Sequence, residues 1–331
     1  MKPVRNLISL NYPSFLLLSN MLRYLLILLL LIAGCSEKTT PPQEDTPEQF
    51  ITVLGIAQDA GFPQADCKKE HCQRFWNGEV EKRHVVNLGL TDKSTGQNWM
   101  FEATPDFTTQ LHQLKTTSAV DNLSGIFLTH AHIGHYTGLM YLGHEVMGAS
   151  DIPVYAMPRM KSYLETNGPW SQLVNMDNID LQEQKADSTI KLTPKISVTP
   201  FRVPHRDEYS ETVGYRIDSE NTSVLFIPDI NKWHVWERDI TEEIAKVDLA
   251  LLDGTFYDAG ELPGRDMSEI PHPYVEESIE LFNELPASEK SKIVFIHFNH
   301  TNPLILDSPE RKEVEELGFR VASEGQIIPL N

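Results

Sequence analysis

The segment Ser124-Gly125-Ile126-Phe127-Leu128-Thr129-His130-Ala131-His132-Ile133-Gly134-His135-Tyr136-Thr137-Gly138-Leu139 places three histidines directly after an apolar run. The run predicts a buried strand that ends at Thr129. Alternate residues of an extended segment face the same way, so His130 and His132 can direct their imidazoles at one point. His135 follows on a turn into a helix, which we predict from Gly138 to Met147. Because neutral imidazole is the commonest metal ligand, the segment predicts a site for Zn²⁺ or a similar ion.

Further candidate ligands follow three later strands. The apolar runs that predict these strands are each followed by a residue able to bind a metal: His205, Asp229 and His297. An aspartate at this position can also cap a helix or close a turn. Ligands that come from separate strand ends meet in a cleft at one edge of a sheet, which is where open sheets bind ligands.

The strand followed by His-x-His-x-x-His and Thr-Gly-Leu resembles the metal-binding signature of the metallo-β-lactamase superfamily. Within that superfamily, Gly55-Ile56-Ala57-Gln58-Asp59-Ala60-Gly61-Phe62-Pro63-Gln64 resembles the opening of the pyrroloquinoline quinone (PQQ) biosynthesis B proteins. The resemblance covers residues 50–331. It implies an α/β fold, an αββα sandwich of two mixed β-sheets flanked by helices.

The resemblance also implies two metal positions. The first would be held by His130, His132 and His205, and the second by His135, Asp229 and His297. The superfamily pattern is His-x-His-x-Asp-His, and this chain has Gly134 at the position of the aspartate. We therefore expect one firmly held ion and a second, partly filled site. Zn²⁺ is the expected ion, with Fe²⁺ or Mn²⁺ as alternatives.

Two further residues occupy positions with a role in relatives. Glu102 ends a predicted strand where the superfamily places an acidic residue that orients a ligand histidine; the alternative is a plain surface glutamate. His272 stands where some relatives have a histidine that protonates the leaving group, and the alternative is an exposed loop histidine. We take His272 and Asp229 as the candidate catalytic residues.

A second candidate metal group lies around Cys67 and Cys72, with His71 between them. Related proteins carry three cysteines here that bind a structural zinc, and Lys69 replaces the middle one. A zinc site could use both cysteines, His71 and the distant His300. The alternatives are a disulfide, which an exported protein can form, or two free thiols.

The N-terminus resembles a bacterial lipoprotein signal that is cleaved before Cys35, the residue to be lipidated. It has a basic start, an apolar run over 24–32 and small residues before the cysteine. The run is too short to cross a bilayer comfortably, and Met21 is an alternative start. The chain is thus divided into a signal peptide (1–34), a flexible tether (35–49) and a folded domain (50–331), and we expect a lipid-anchored protein of the cell envelope.

The chain is strongly acidic. Removal of the first 34 residues, which carry three basic and no acidic side chains, takes the net charge from −19 to −22. Such a surface argues against nucleic acid as a partner. The expected partners are a small-molecule or peptide substrate and, through the lipid anchor, the membrane.

Three classes of function fit this sequence. The first is a hydrolase that uses metal-bound hydroxide on an ester, amide or phosphodiester. The second is an oxygenase in cofactor biosynthesis, which the resemblance to the PQQ proteins implies. The third is a non-catalytic metal-binding lipoprotein. Predicted export and the intact histidine pattern favour the hydrolase.

Overall fold

The computed structural model of the protein describes residues 46–330. The predicted signal peptide, Cys35 and most of the tether therefore lie outside the described residues. The first strand begins at Gln49, one residue before the predicted start of the domain. None of the helices in residues 46–330 combines the length and the apolar character needed to cross a membrane.

Two seven-stranded sheets form the centre of the fold. The first sheet has the strand order β14-β1-β2-β3-β4-β5-β6, and β3 to β6 run parallel to one another. Its strands are β1 (Gln49–Gly55), β2 (Asn87–Asp92), β3 (Gln97–Phe101), β4 (Leu123–Phe127), β5 (Ile152–Ala156), β6 (Ile179–Glu183) and β14 (Ile327–Pro329).

The second sheet has the order β13-β12-β11-β10-β9-β8-β7, with β10 to β13 parallel and β7 to β10 antiparallel. Its strands are β7 (Ile190–Lys191), β8 (Ser197–Arg202), β9 (Val213–Asp218), β10 (Ser223–Ile227), β11 (Leu249–Asp253), β12 (Ile293–Ile296) and β13 (Arg320–Val321). Both sheets are mixed, as predicted.

Nine α-helices lie in the described part of the chain. They are α1 (Glu70–Trp76), α2 (Phe107–Ser118), α3 (Ile133–Tyr136), α4 (Pro158–Thr166), α5 (Trp170–Asn175), α6 (Ile240–Ala245), α7 (Val275–Phe282), α8 (Ala287–Lys290) and α9 (Pro309–Glu316). Short 3₁₀ helices cover Thr137–Leu142, Trp233–Val235, Met267–Glu269 and Pro303–Ile305.

Aromatic side chains fill the space between the sheets. Phe101 and Phe127 of the first sheet stack with ring centroids 5.0 Å apart, and Phe101 meets Phe226 of the second sheet edge-on at 6.2 Å. Tyr215 of β9 also contacts Phe101, at 5.3 Å. A separate apolar cluster joins α2, α4 and α5 to the outer face of the first sheet. The predicted αββα sandwich is confirmed.

One predicted element is wrong. The helix expected from Gly138 to Met147 is a 3₁₀ helix that covers only Thr137–Leu142. It ends there because the next residue, Gly143, has an extended backbone (φ −68°, ψ 174°). The N–H of Gly138, which has no partner within a helix that starts there, donates to the carbonyl of Ala103, 2.8 Å away. An added Cβ at Gly138 would lie 2.0 Å from the Thr104 carbonyl oxygen, so glycine is needed for this close approach.

The loop that carries the histidine segment is held by the second sheet. The hydroxyl of Tyr215 donates to the Leu128 carbonyl, and the N–H of Val213 donates to the Thr129 carbonyl at 3.1 Å. The N–H of Ala131 donates to Oγ of Ser210 at 2.8 Å. These bonds attach a loop of the first sheet to the second, so the site forms where the two sheets meet.

Candidate metal centre

Four side chains form what we call the first group. Loops after β4, β8 and β10 bring together His130, His132, His205 and Asp229, whose facing atoms lie within 4.8 Å of one another. Nδ1 of His132 is 2.8 Å from Nε2 of His130 and 3.3 Å from Nε2 of His205. Oδ2 of Asp229 is 3.3 Å and 3.2 Å from the same two Nε2 atoms. Each histidine thus directs one ring nitrogen at a common point.

The second group shares Asp229 with the first. Its members are Asp59, His135, Asp229 and His297, again within 4.8 Å. Oδ1 of Asp59 lies 2.8 Å from Nε2 of His135 and 4.0 Å from Nε2 of His297. Asp59 follows β1, and His297 follows β12 of the other sheet.

Glu102, at the end of β3, orients one histidine of each group. It is fully buried, so the alternative of a surface glutamate is wrong. Nδ1 of His135 donates to its Oε1 at 3.1 Å. Thr129 donates its hydroxyl to the same oxygen and lies 2.8 Å from Nδ1 of His130, from which it can then accept. These bonds at Nδ1 leave Nε2 of both imidazoles facing the site, the orientation in which a histidine can offer Nε2 to a metal.

Asp253, at the end of β11 in the second sheet, orients two other histidines, His297 and His272. Its Oδ1 accepts from the Thr255 hydroxyl at 2.6 Å, and Thr255 accepts from Nδ1 of His297 at 2.8 Å. Its Oδ2 lies 2.9 Å from Nδ1 of His272, which is also 3.2 Å from Asp229. His272 is buried, so the alternative of an exposed loop histidine is wrong.

The remaining two histidines are oriented at the rim. Nδ1 of His205 lies 3.2 Å from Oδ1 of Asn231, which accepts its proton. Nε2 of His132 lies 3.2 Å from a carboxylate oxygen of Glu208, and this pair is partly exposed. All five candidate ligand histidines therefore have one nitrogen occupied by a hydrogen bond and the other facing the site.

The backbone is strained at two of these positions. Glu102 has φ 85° and His297 has φ 69°, a region that side chains other than glycine seldom adopt. Such strain costs about 1–3 kcal/mol per residue and persists only where the surroundings dictate it. Each strained residue ends a strand and turns its side chain into the site.

In the second group, the imidazole of His135 lies between two carboxylates, those of Glu102 and Asp59. Burial lowers the pKa of His135, but the charges of Glu102 and Asp59 overcome burial and raise it well above its usual value. Burial raises the pKa of Asp229, and the charges of His205 and His272 overcome this and hold it well below its usual value. The site is thus a buried pocket whose carboxylates attract positive charge.

The donor atoms fit a metal ion. Four buried atoms of the second group have no hydrogen-bond partner among the described residues: Asp59 Oδ1, His135 Nε2, Asp229 Oδ1 and His297 Nε2. Buried polar atoms are normally paired, and each unpaired one costs about 1–3 kcal/mol. Imidazole nitrogens and carboxylate oxygens at one point are a donor set for divalent metals, which would satisfy all four atoms together.

Sequence reasoning missed Asp59 as a ligand candidate. Asp59 lay inside the quoted family opening, but neither strand periodicity nor spacing links it to the histidine segment. Because of Gly134, the second site was expected to be short of one anionic ligand beside Asp229; the structure places Asp59, from another loop, in this group. Asp253 was also missed; its position at the end of a buried strand was the available signal.

A peripheral group lies apart from this centre. It consists of Cys67, His71, Cys72 and His300, with donor atoms within 4.8 Å of one another. Both cysteines are free thiols, and Sγ of Cys67 is 3.5 Å from Nε2 of His71. Two cysteines and two histidines are a common ligand set of structural zinc. The structure brings together all four residues predicted for this group.

Comparison with known proteins agrees with this architecture. The family described as the beta-lactamase superfamily domain matches residues 97–298. Coenzyme PQQ synthesis protein B of Methylococcus capsulatus is 26% identical over 312 residues, which are 85% of this chain and 100% of that protein. The same protein of Pseudomonas syringae is 26% identical over 315 residues, with 85% and 100% covered.

Solved structures extend the comparison. The Zn²⁺-bound PqqB of Methylobacterium extorquens superimposes with a TM-score of 0.71 at 25% identity, covering 85% of this chain and 100% of that one. A diphosphatase from the PhnP family shares the fold with a TM-score of 0.59 at 19% identity, covering 85% and 96%. The chain belongs to the metallo-β-lactamase superfamily and is similar within it to coenzyme PQQ synthesis protein B.

Proposed function

We propose that the protein is a metal-dependent hydrolase with two metal ions, one in each group. The observation that carries this proposal is that Asp229 belongs to both groups, so one carboxylate can bridge two ions. A bound ion pair supplies an activated water as nucleophile and stabilises negative charge on the substrate. An ester, amide or phosphodiester in a small molecule or peptide is the substrate class that this chemistry serves.

The protein's own residues supply the rest of the reaction. Burial lowers the pKa of His272, but the charges of Asp253 and Asp229 overcome burial and raise it to about 9. Asp253 holds this ring 2.9 Å away. His272 is therefore placed to give a proton to a leaving group, the role of a general acid.

Zinc is the ion that we propose. The Zn²⁺-bound structure of PqqB supports this choice, as does a donor set made of imidazoles and carboxylates. Fe²⁺ and Mn²⁺ accept the same donors and are the alternatives.

A second candidate function is favoured by the similarity to coenzyme PQQ synthesis protein B, which extends over 85% of this chain and all of the relative. Under this alternative the protein acts in cofactor biosynthesis, as the oxygenase inferred from the sequence resemblance. Against it stands the predicted export signal, because a cofactor precursor made in the cytoplasm would not meet an exported enzyme.

Metal analysis combined with a substrate panel separates these functions. Protein purified with and without oxygen is assayed for bound zinc, iron and manganese, and then for hydrolysis of chromogenic esters, amides and phosphodiesters. We expect stoichiometric zinc and hydrolysis that is lost in His272→Asn. Oxygen-sensitive iron, dioxygen uptake and no hydrolysis would support the oxygenase. Bound metal with neither reaction would support the non-catalytic binding protein.

We also propose that the protein is exported and anchored by a lipid on Cys35, in line with the small residues and cysteine after the apolar run. A Cys35→Ser protein expressed in a bacterial host should lose its acyl label and should not sediment with membranes. Continued acylation and sedimentation would refute the anchor.

For the peripheral group we propose structural zinc. Mass spectrometry of the unreduced protein should show free Cys67 and Cys72, and a Cys67→Ser, Cys72→Ser variant should lose about one ion per chain, as expected for a four-ligand site. A disulfide between the two cysteines would refute zinc at this position.

A further inference from the structure

Gly134 is the position at which this chain departs from its superfamily, and the structure shows what occupies the vacated space. Gly134 lies in α3 with ordinary helical backbone, so its conformation does not require glycine. A Cβ added there would lie 2.3 Å from Cα of Asp59 and 2.7 Å from its Oδ1. Because a backbone atom is the nearest neighbour, a rotamer change cannot relieve the clash. The loop after β1 fills the volume that a side chain at 134 would need.

Asp59 directs its carboxylate at the second group from this position. Its Oδ1 is 2.8 Å from Nε2 of His135 and 4.0 Å from Nε2 of His297. These three atoms are buried and lack hydrogen-bond partners among the described residues.

The loop that carries Asp59 is fixed to the strand end that carries His297. The N–H of Gln58 donates to the Phe298 carbonyl at 2.8 Å, and the N–H of Phe298 donates to the Ile56 carbonyl at 2.8 Å. The side-chain amide of Asn299 donates to Oε1 of Gln58 at 2.7 Å. Residues on both sides of Asp59 and His297 are thus paired, which sets the separation of the two side chains.

We infer that Asp59 is the carboxylate ligand of the second ion, and that Gly134 is required to make room for it. The ligand has moved to a different loop while its place in the site is kept. This inference rests on the proposed metal centre but not on the reaction that the centre performs. It predicts that a side chain at position 134 displaces the loop that carries Asp59, so that a Cβ at 134 and a carboxylate ligand at 59 exclude each other.

Four proteins test the inference: the wild type, Asp59→Asn, Gly134→Ala and Gly134→Asp. Each is loaded with Zn²⁺ or Co²⁺, dialysed against a chelator series and analysed for metal per chain. The visible spectrum of the Co²⁺ form reports the ligand set independently of activity. Asp66→Asn is the matched control, because Asp66 lies nearby in the same part of the chain and is exposed.

We expect Asp59→Asn to weaken one ion by at least about tenfold, since even changes beside a ligand weaken metal binding by that much. Gly134→Ala and Gly134→Asp should both lose the same ion and lower the melting temperature, because the Cβ that each adds clashes with the backbone of Asp59. Asp66→Asn should match the wild type.

Unchanged metal binding in Asp59→Asn would overturn the inference, even if the variants at Gly134 fail to fold. An additional ion in Gly134→Asp would overturn it as well. A protein whose metal depends on His132 but not on Asp59 would refute only this inference. A protein that binds no ion at either group would refute the proposed metal centre itself.

Discussion

The two ligand groups share Asp229 but differ in charge and exposure. In the first group three imidazoles surround the shared carboxylate, and His132 is partly exposed beside Glu208. In the second group Asp59 adds another carboxylate, and His135 and His297 are fully buried. The first group can therefore admit a substrate, whereas the second holds its ion by charge. Catalytic metal sites combine an open position with secure binding, and here the two properties are divided between neighbouring groups.

The two carboxylates that orient the ligand histidines, Glu102 and Asp253, also differ in which group they serve. Glu102 reaches one histidine of each group, directly to His135 and through Thr129 to His130. Asp253 reaches only the second group, through Thr255, and otherwise holds His272. A substitution of Glu102 should therefore affect metal binding in both groups, whereas a substitution of Asp253 should affect metal binding in the second group alone.

The largest effect is expected where the groups meet. Asp229→Ala removes the only side chain common to both, so both ions should be lost. Activity should fall by at least about 10³-fold, because loss of a single charge-stabilising group already costs about 10²–10³. Metal content and kcat/KM measure the result. Full retention of one ion would show that Asp229 serves a single group.

The next prediction breaks only the first group. His132→Ala should weaken the first ion by more than about 100-fold, the upper range for loss of a ligand's supporting contact. The second ion should stay, because Asp59, His135 and His297 are untouched. Metal titration followed by the Co²⁺ spectrum distinguishes the two ions. His144→Ala, at an exposed histidine, is the control and should leave both ions in place. Loss of both ions in His132→Ala would mean that the groups cannot be separated.

Intermediate effects are expected from the supporting carboxylates. Glu102→Gln should weaken both ions by about 10–100-fold, and Asp253→Asn should weaken the second ion by a similar factor while sparing the first. The reason is that each carboxylate keeps its histidines in the tautomer that faces the metal. Chelator competition on the two variants, side by side, provides the comparison. Equal loss at both ions in Asp253→Asn would contradict the division.

The smallest effect on metal binding is expected from Glu208, at the partly exposed edge of the first group. Glu208→Gln removes the charged partner of His132, but the pair is partly exposed and water can replace it. The change in metal-binding free energy should stay below about 1 kcal/mol, the usual worth of an exposed ion pair. Isothermal titration with Zn²⁺ measures it. A larger loss would place Glu208 among the residues that build the first group.

Much of the centre was predictable because its signals are local. His130, His132 and His135 follow one apolar strand, and His205, Asp229 and His297 each follow another. In a sandwich of parallel and antiparallel strands, such ends converge on one edge. One local signal was misleading. The helical pattern from Gly138 to Met147 gave only a short 3₁₀ helix over Thr137–Leu142, because the backbone turns to an extended conformation at Gly143.

The histidine pattern and the strands around it follow from the amino-acid sequence alone, since alternation, apolar runs and spacing act over a few residues. The sandwich was what the resemblance to the superfamily implied. The role of Asp59 does not follow from the sequence alone. Asp59 and Gly134 are far apart in the chain, and only the pairing of the loop after β1 with the strand end at Phe298 brings the carboxylate into the space that glycine leaves open. A residue that is missing from a motif can be replaced from any loop that reaches the same point, and only the packed tertiary structure decides which loop does so.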